Sequence, residues 1–393
     1  MRKINERVFE VGAIDWDRQL FDELIPLPDG TSYNAYIVKG SEKTALIDAV
    51  DPTKSDVLID NLVKSGTDHI DYLIANHAEQ DHAGGIVDVM AVFPEIIIVA
   101  NEKCKNMLID ELEIDPEKFK VIEDGEQLSL GDKTLSFHFI PWVHWPETIG
   151  TYLKEDKIFF SCDFFGSHLA TTSLFVEDKA RVYEAAKRYY AEIMMPFRKP
   201  IQKNIETMSK LDIKIIAPSH GPLYDNPSFI VDAYKDWAGD NVKNQVIIPY
   251  VSMHGSTAKM VDYFVDACAQ RGLNPQPFNL TVTDLGKLAI TLVDAATIIL
   301  ASPTMLTVAH PTAAYGTILI NTLKPKTRFM GIIGSYGWGS KMVKQIESLL
   351  DRMQVEMFEP VIAKGVPRDD DMIALENLAD QIYAKHKEAG LIA

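Results

Sequence analysis

The chain has 393 residues, 47% hydrophobic and 24% charged, with 39 basic against 56 acidic side chains. That length exceeds one ordinary core and suits two domains, and the composition is globular rather than disordered. A formal charge of −17 argues against a nucleic-acid backbone or an anionic membrane as the main partner.

Met1-Arg2-Lys3-Ile4 leads into a strand-like run, unlike the apolar core of a secretory signal. No segment reaches the roughly 20 uninterrupted apolar residues of a spanning helix; around Ile290, Asp284 and Asp294 break the pattern. A cytoplasmic protein is the expectation. Cys104, Cys162 and Cys268 are dispersed, and no pair has C-x-x-C spacing. They read as small buried hydrophobes in a reducing compartment, with no fused rubredoxin or iron–sulfur module.

Up to about residue 240, short apolar runs alternate with turns: Ala35–Val38, Ala45–Ile47, Tyr72–Ile74, Ile96–Val99, Leu135–Ile140, Ile158–Phe160 and Ile213–Ala217. Their brevity predicts strands. Helical spacing appears over Lys54–Ser65, Ala180–Met195 and Ile230–Trp237. A polar stretch, Gly239–Asn244, marks the expected boundary, giving domains 1–243 and 244–393. Beyond it the rhythm becomes regular: strand Val246–Tyr250, helix Thr257–Gly272, strand Thr297–Ala301, a helix, strand Phe329–Gly334, helix Ser340–Met353, strand Val355–Phe358 and terminal helix Asp369–Ala389. That order predicts a doubly wound parallel sheet.

The segment His77-Ala78-Glu79-Gln80-Asp81-His82 follows an apolar strand almost at once. Four potential ligands in six residues can converge on metal as a loop, where an ordinary polar loop would simply be solvated. His144, Asp163 and His220 each stand just past another apolar run, where a rigid scaffold would present a site. Four imidazoles and three carboxylates exceed the needs of one tetrahedral zinc, so two metals are expected, with Asp163 able to bridge them. Oxygen and imidazole donors without thiolate suit iron or manganese at least as well as zinc. Of the other histidines, His138 belongs on the opposite strand face from Leu135 and Phe137. His69 and His386 read as exposed, and His168 as a possible neighbour of the ligands.

In the second domain, Ser252-Met253-His254-Gly255-Ser256-Thr257 joins a strand to a helix and forms an anion cradle. It lacks the Gly-Lys-Ser/Thr of a triphosphate loop and the G-x-G-x-x-G of a dinucleotide site. Ser302-Pro303-Thr304-Met305 and Ser335-Tyr336-Gly337-Trp338 follow the next two inner strands. Three such loops at the switch point suggest a planar cofactor with one phosphate, and FMN fits.

These motifs, in this order over nearly the whole chain, resemble the flavodiiron proteins, also called A-type flavoproteins or rubredoxin:oxygen oxidoreductases. The resemblance implies a metallo-β-lactamase-like αββα sandwich followed by a flavodoxin-like sheet. Zinc hydrolases of the lactamase type usually carry His-x-His-x-Asp-His, and Glu79 is the family's iron-associated replacement. The resemblance further implies that His77, Glu79, His144 and Asp163 bind one iron, and Asp81, His82, Asp163 and His220 the other. The family tyrosine near the metals corresponds to Tyr189, with Tyr190 as the adjacent alternative. Many relatives carry asparagines after Ser-Pro-Thr; here Met305-Leu306-Thr307 follow, with Pro311 retained.

The function so implied is reduction of dioxygen to water or of nitric oxide to nitrous oxide, with electrons passed through FMN from an external, rubredoxin-like donor. A homodimer or dimer of dimers, arranged head to tail, is implied as well. The competing expectations are a zinc hydrolase fused to a flavodoxin-like module and a non-enzymatic electron carrier.

Overall fold

A computed structural model describes residues 1–392. The chain divides into two compact units: Met1–Tyr190 with Phe197–Gly239, and Asp240–Ala393 with Ala191–Pro196.

In the first unit, one sheet runs in the order Arg2–Lys3, Val8–Glu10, Tyr36–Lys39, Thr44–Ile47, Tyr72–Ile74, Ile97–Ala100, Phe119–Val121. The second runs Gln127–Ser129, Thr134–Phe139, Ile149–Leu153, Ile158–Cys162, Ile215–Pro218. Period-two alternation sorts the side chains between layers. Tyr36, Val38, Ala45, Ile47, Ile74 and Val99 face Leu135, Phe137, Ile149, Ile158 and Phe160 across the sandwich. Ile37, Leu46, Leu73 and Ile98 point the other way, onto Leu58 and Leu62 of helix Ser55–Lys64, Val89, and Leu108 of helix Glu102–Leu112. The central strands are therefore apolar on both faces, as covered parallel strands must be.

The expected helix over Ala180–Met195 is α-helical only across Lys179–Tyr189 and continues as a π-helical turn, Tyr190–Met194. Such turns often sit at functional positions. Helices Arg198–Met208 and Pro227–Ala238 follow, on either side of the strand that ends before His220.

The second unit is a parallel sheet ordered Asn274–Asn279, Lys243–Tyr250, Ala295–Met305, Phe329–Tyr336, with Glu356–Met357 and Val361–Lys364 sharing the far edge. This is the flavodoxin-like strand order 2-1-3-4-5. Two elements depart from expectation. Strand Asn274–Asn279 carries two prolines and lies at the edge, where a missing N–H costs no ladder bond. The last strand position is divided, and its second piece, Val361–Lys364, pairs with the inner strand beside the ligand-side loops.

His386 is corrected outright. It is fully buried, with Nε2 2.7 Å from Thr297 Oγ1 and Nδ1 2.9 Å from Asn244 Oδ1. The terminal helix Asp369–Glu388 packs Leu375, Leu378, Ala379 and Ile382 onto the sheet and carries this histidine inward at its last turn. All three cysteines are buried free thiols. No described helix is long and apolar enough to cross a membrane.

Candidate metal centre and flavin cleft

Two residues past strand Tyr72–Ile74 stands Asn76, whose backbone and side-chain N–H groups both donate to the buried Asp48 carboxylate at 2.8 Å. Burial pushes the Asp48 carboxyl up to about 6, against the pull of nearby His82. The chain then turns, and the short helix Gln80–Ala83 swings Asp81 and His82 back toward His77. His144, Asp163 and His220 arrive from the second sheet's side, each just beyond a strand.

The seven side chains meet in two groups around one carboxylate. Asp163 Oδ2 lies 3.4 Å from His77 Nε2 and 3.6 Å from His144 Nε2. Glu79 Oε2 closes that group, 3.3 Å from His77 Nε2 and 3.0 Å from His144 Nε2. Asp163 Oδ1 lies 3.0 Å from His82 Nε2 and 3.4 Å from His220 Nε2. Asp81 completes the second group, with Oδ1 3.2 Å from His82 and Oδ2 3.2 Å from His220. The donor atoms of His77, Glu79, His144 and Asp163 lie within 4.8 Å of one another, as do those of Asp81, His82 and His220, and those of His82, Cys162 and Asp163.

The donor set fits cations. Asp81 Oδ1 and Oδ2, His82 Nε2 and Asp163 Oδ2 are buried without a hydrogen bond of acceptable geometry. Orphaned groups of this kind are costly unless a counter-charge sits among them. His77 Nδ1 points at Glu147 Oε1, 2.6 Å away, and His220 Nδ1 at the Ser32 carbonyl, 2.6 Å away. With Nδ1–H donating outward, each Nε2 lone pair faces the centre, the arrangement of a metal-bound histidine.

Without a cation the cluster compensates itself with protons. Burial disfavours charge on His220, but the Asp163 and Asp81 carboxylates beside it outweigh that and raise its pKa to about 10. Burial likewise opposes the Asp163 and Glu79 anions, yet the surrounding imidazoles hold both well below the usual carboxylate range.

Tyr189, at the end of its helix, donates to Asp163 Oδ1 at 2.8 Å. The neighbouring Tyr190 ring packs instead against Tyr234 and Trp237, so of the two tyrosines Tyr189 is the one that touches the cluster. Burial, then the Asp163 charge, raise the Tyr189 pKa well above its ordinary value. His168 stands beside the ligands: its ring lies 4.7 Å from His220 and 4.9 Å from Tyr189, and Nδ1 is 2.9 Å from Thr31 Oγ1. Burial, then His220, depress its pKa strongly, so it stays neutral. Sequence reasoning missed Glu147 and Asp48. The only available signal for Glu147 was an acid three residues past His144.

In the second unit a cleft of about 180 Å³ is lined by Met253, His254, Ser256, Thr257, Pro303, Thr304, Ser335, Tyr336, Gly337 and Gly365. Gly255 takes φ +87 to turn the loop into helix Ser256–Gln270, leaving first-turn amides toward the cleft end. Thr257 and Ser335 hydroxyls lie 3.1 Å apart and tie two loops together. Five expected residues do not line the cleft. Ser252 caps the helix by accepting from Ala258 N, and Gly255 only turns the chain. Ser302 is turned back to donate to the Pro303 carbonyl and accept from His310 N. Met305 and Trp338 stand outward, Trp338 79% exposed. Gly365 was missed because its strand, Val361–Lys364, was missed.

Two histidine–carboxylate groups sharing one carboxylate, on a two-sheet sandwich followed by a flavodoxin-like sheet with a cleft at its strand ends, are a candidate two-metal site and a candidate flavin site. A family profile described as "ODP family beta lactamase" matches residues 31–221. The chain is 31% identical to the nitric oxide reductase of Moorella thermoacetica, over 97% of this chain and 98% of that protein. The rubredoxin oxygen:oxidoreductase structure from Desulfovibrio gigas matches with a TM-score of 0.95 and 30% identity, covering 100% of this chain and 99% of that one. The flavodiiron protein of Giardia intestinalis matches with a TM-score of 0.89 and 25% identity, covering 98% and 96%. The chain belongs to the flavodiiron protein family, a family of oxidoreductases.

Proposed function

We propose that this chain reduces dioxygen to water, or nitric oxide to nitrous oxide, at a diiron centre fed by FMN. The observation that carries the reading is the division of Asp163 between two ligand groups, one at each carboxylate oxygen. His77, Glu79, His144 and Asp163 would hold one iron, and Asp81, His82, His220 and Asp163 the other. One domain then serves each cofactor, divided in the polar stretch Gly239–Asn244.

When bound, the two irons would supply redox chemistry for a diatomic gas, and FMN the reducing electrons. Dioxygen takes four electrons and four protons to give two waters; two nitric oxides take two electrons and two protons to give nitrous oxide and one water. The chain's own residues set the terms. Glu79 and His144 side chains are each 13% exposed, whereas the other five ligands are at most 6% exposed, so gas and protons reach the centre from the Glu79–His144 side. Tyr189 keeps its proton at neutral pH and acts as a hydrogen-bond donor that orients Asp163. The hydroxyls and amides around Ser256, Thr257 and Ser335 would hold the FMN phosphate, with Tyr336 and Thr304 toward its ring.

The electron donor is rubredoxin-like, in keeping with the Desulfovibrio gigas relative's name, and a head-to-tail homodimer or dimer of dimers brings flavin and iron into electron-transfer range. The expected compartment is the cytoplasm. Consumption of dioxygen, and separately of nitric oxide under anaerobic conditions, with reduced rubredoxin and metal analysis, tests the proposal. Iron with gas reduction supports it; zinc with hydrolase activity and no gas reduction overturns it.

A further inference from the structure

Behind His77 stands a carboxylate that belongs to neither ligand group. The Glu147 side chain has no solvent exposure. Its Oε1 accepts from His77 Nδ1 at 2.6 Å and from the Ala78 amide at 3.1 Å. Its Oε2 is buried with no hydrogen-bond partner, and among the described residues no lysine or arginine pairs with it. A buried anion with one bare oxygen is unfavourable unless positive charge collects nearby. Asn101 Nδ2 donates to the Glu147 carbonyl at 2.6 Å, so the residue is also held by its backbone.

The two halves of the centre differ here. Among the described residues, His77 is the only ligand imidazole with a carboxylate on Nδ1. His220, its counterpart in the other half, donates to a neutral carbonyl, that of Ser32. A carboxylate partner makes an imidazole a more basic ligand than a carbonyl does. Once Nδ1–H is committed to Glu147, the His77 Nε2 lone pair faces Glu79 Oε2 at 3.3 Å and Asp163 Oδ2 at 3.4 Å.

Resting on the two-iron reading above, we propose that Glu147 is a positioning residue that makes the centre electronically unequal. It fixes the His77 tautomer and adds negative charge behind one iron position only, favouring the higher oxidation state there. The rival is a merely structural role, in which Glu147 pins its loop to Ala78.

The test is Glu147→Gln, which keeps an acceptor for Nδ1–H and removes the charge. Iron affinity is read by anaerobic chelator competition, and the two positions are separated by Mössbauer spectra of partly reduced protein. The expected result is about 10- to 100-fold weaker binding at one position, with more iron(II) there at a fixed potential. The other position and FMN occupancy should stay within twofold. Equal weakening at both positions with lowered thermal stability would mean a structural role and overturn the proposal, as would no change. If Glu147→Gln does not fold, Glu147→Asp keeps the charge but withdraws the acceptor from His77 Nδ1; weakening at one position only supports the positioning role, and equal weakening at both overturns it. Absence of an iron pair in the unmodified protein would sink this and the parent reading together; an intact pair with an unchanged variant sinks only this one.

Discussion

Tyr189→Phe isolates one bond. The tyrosine is 2% exposed, and its ring is wedged beside Gly166, where an added Cβ would come within 3.3 Å of it. Phenylalanine keeps that packing and the edge contact with His168, so the loss is confined to the O–H donated to Asp163 Oδ1 at 2.8 Å. A buried hydrogen bond to a charged group contributes about 1.5–3 kcal/mol. At about 1.4 kcal/mol per tenfold, that predicts roughly 10- to 150-fold in whatever equilibrium the bond supports. In metal-free protein it should appear as lower stability of the first unit in denaturant. In loaded protein it should appear as weaker iron retention, toward the lower end because a cation shares Asp163. Tyr190→Phe serves as the control, with iron retention unchanged. Stability within about 0.5 kcal/mol of the unmodified protein, the scatter of neutral surface changes, together with unchanged iron retention would refute the claim that this hydroxyl orients the bridging carboxylate.

Three other outcomes follow from the geometry. Asp163→Ala removes an oxygen from both ligand groups and should abolish metal-dependent turnover while FMN stays bound; loss of FMN as well, seen by flavin absorbance, would contradict the division into two sites. Burial lowers the His386 pKa from 6.5 to about 4, so below 6.5 the unfolded chain takes up the proton first. Stability of the second unit should then fall as pH drops from about 6.5 toward 4, and flavin-fluorescence denaturation curves for His386→Gln should show a flatter dependence. Leu306 and Thr307 form a two-residue hairpin turn with φ +50 and +74, a geometry that favours Asn-Gly and strains a β-branched residue; the double change L306N/T307G should stabilise the unit by about 1–3 kcal/mol, measured in urea.

The cluster's seven side chains were legible because each of the four chain segments reaches it at the end of a strand, so an apolar run followed by His, Asp or Glu carries the information locally. Glu147 was not legible in that way. It is an acid following Trp145 and Pro146, and only the approach of His77 from the other sheet, 70 residues away, turns it into a partner. Ser302 illustrates the opposite failure: its loop was placed correctly, but the side chain satisfies its own backbone neighbours instead of facing the cleft. Strand Asn274–Asn279 left no alternating pattern because an edge strand with one neighbour buries little. His386, flanked by lysines, looked solvated. Its burial depends on where the terminal helix meets the starts of two strands, which no local pattern encodes.

The shared carboxylate is the central claim, and Mössbauer and EPR spectroscopy of protein reconstituted with isotopically enriched iron test it most directly. Two irons per chain, inequivalent and spin-coupled, with the coupling lost in Asp163→Ala, is the predicted result. A single magnetically isolated iron, or a site that retains only zinc, would contradict the account.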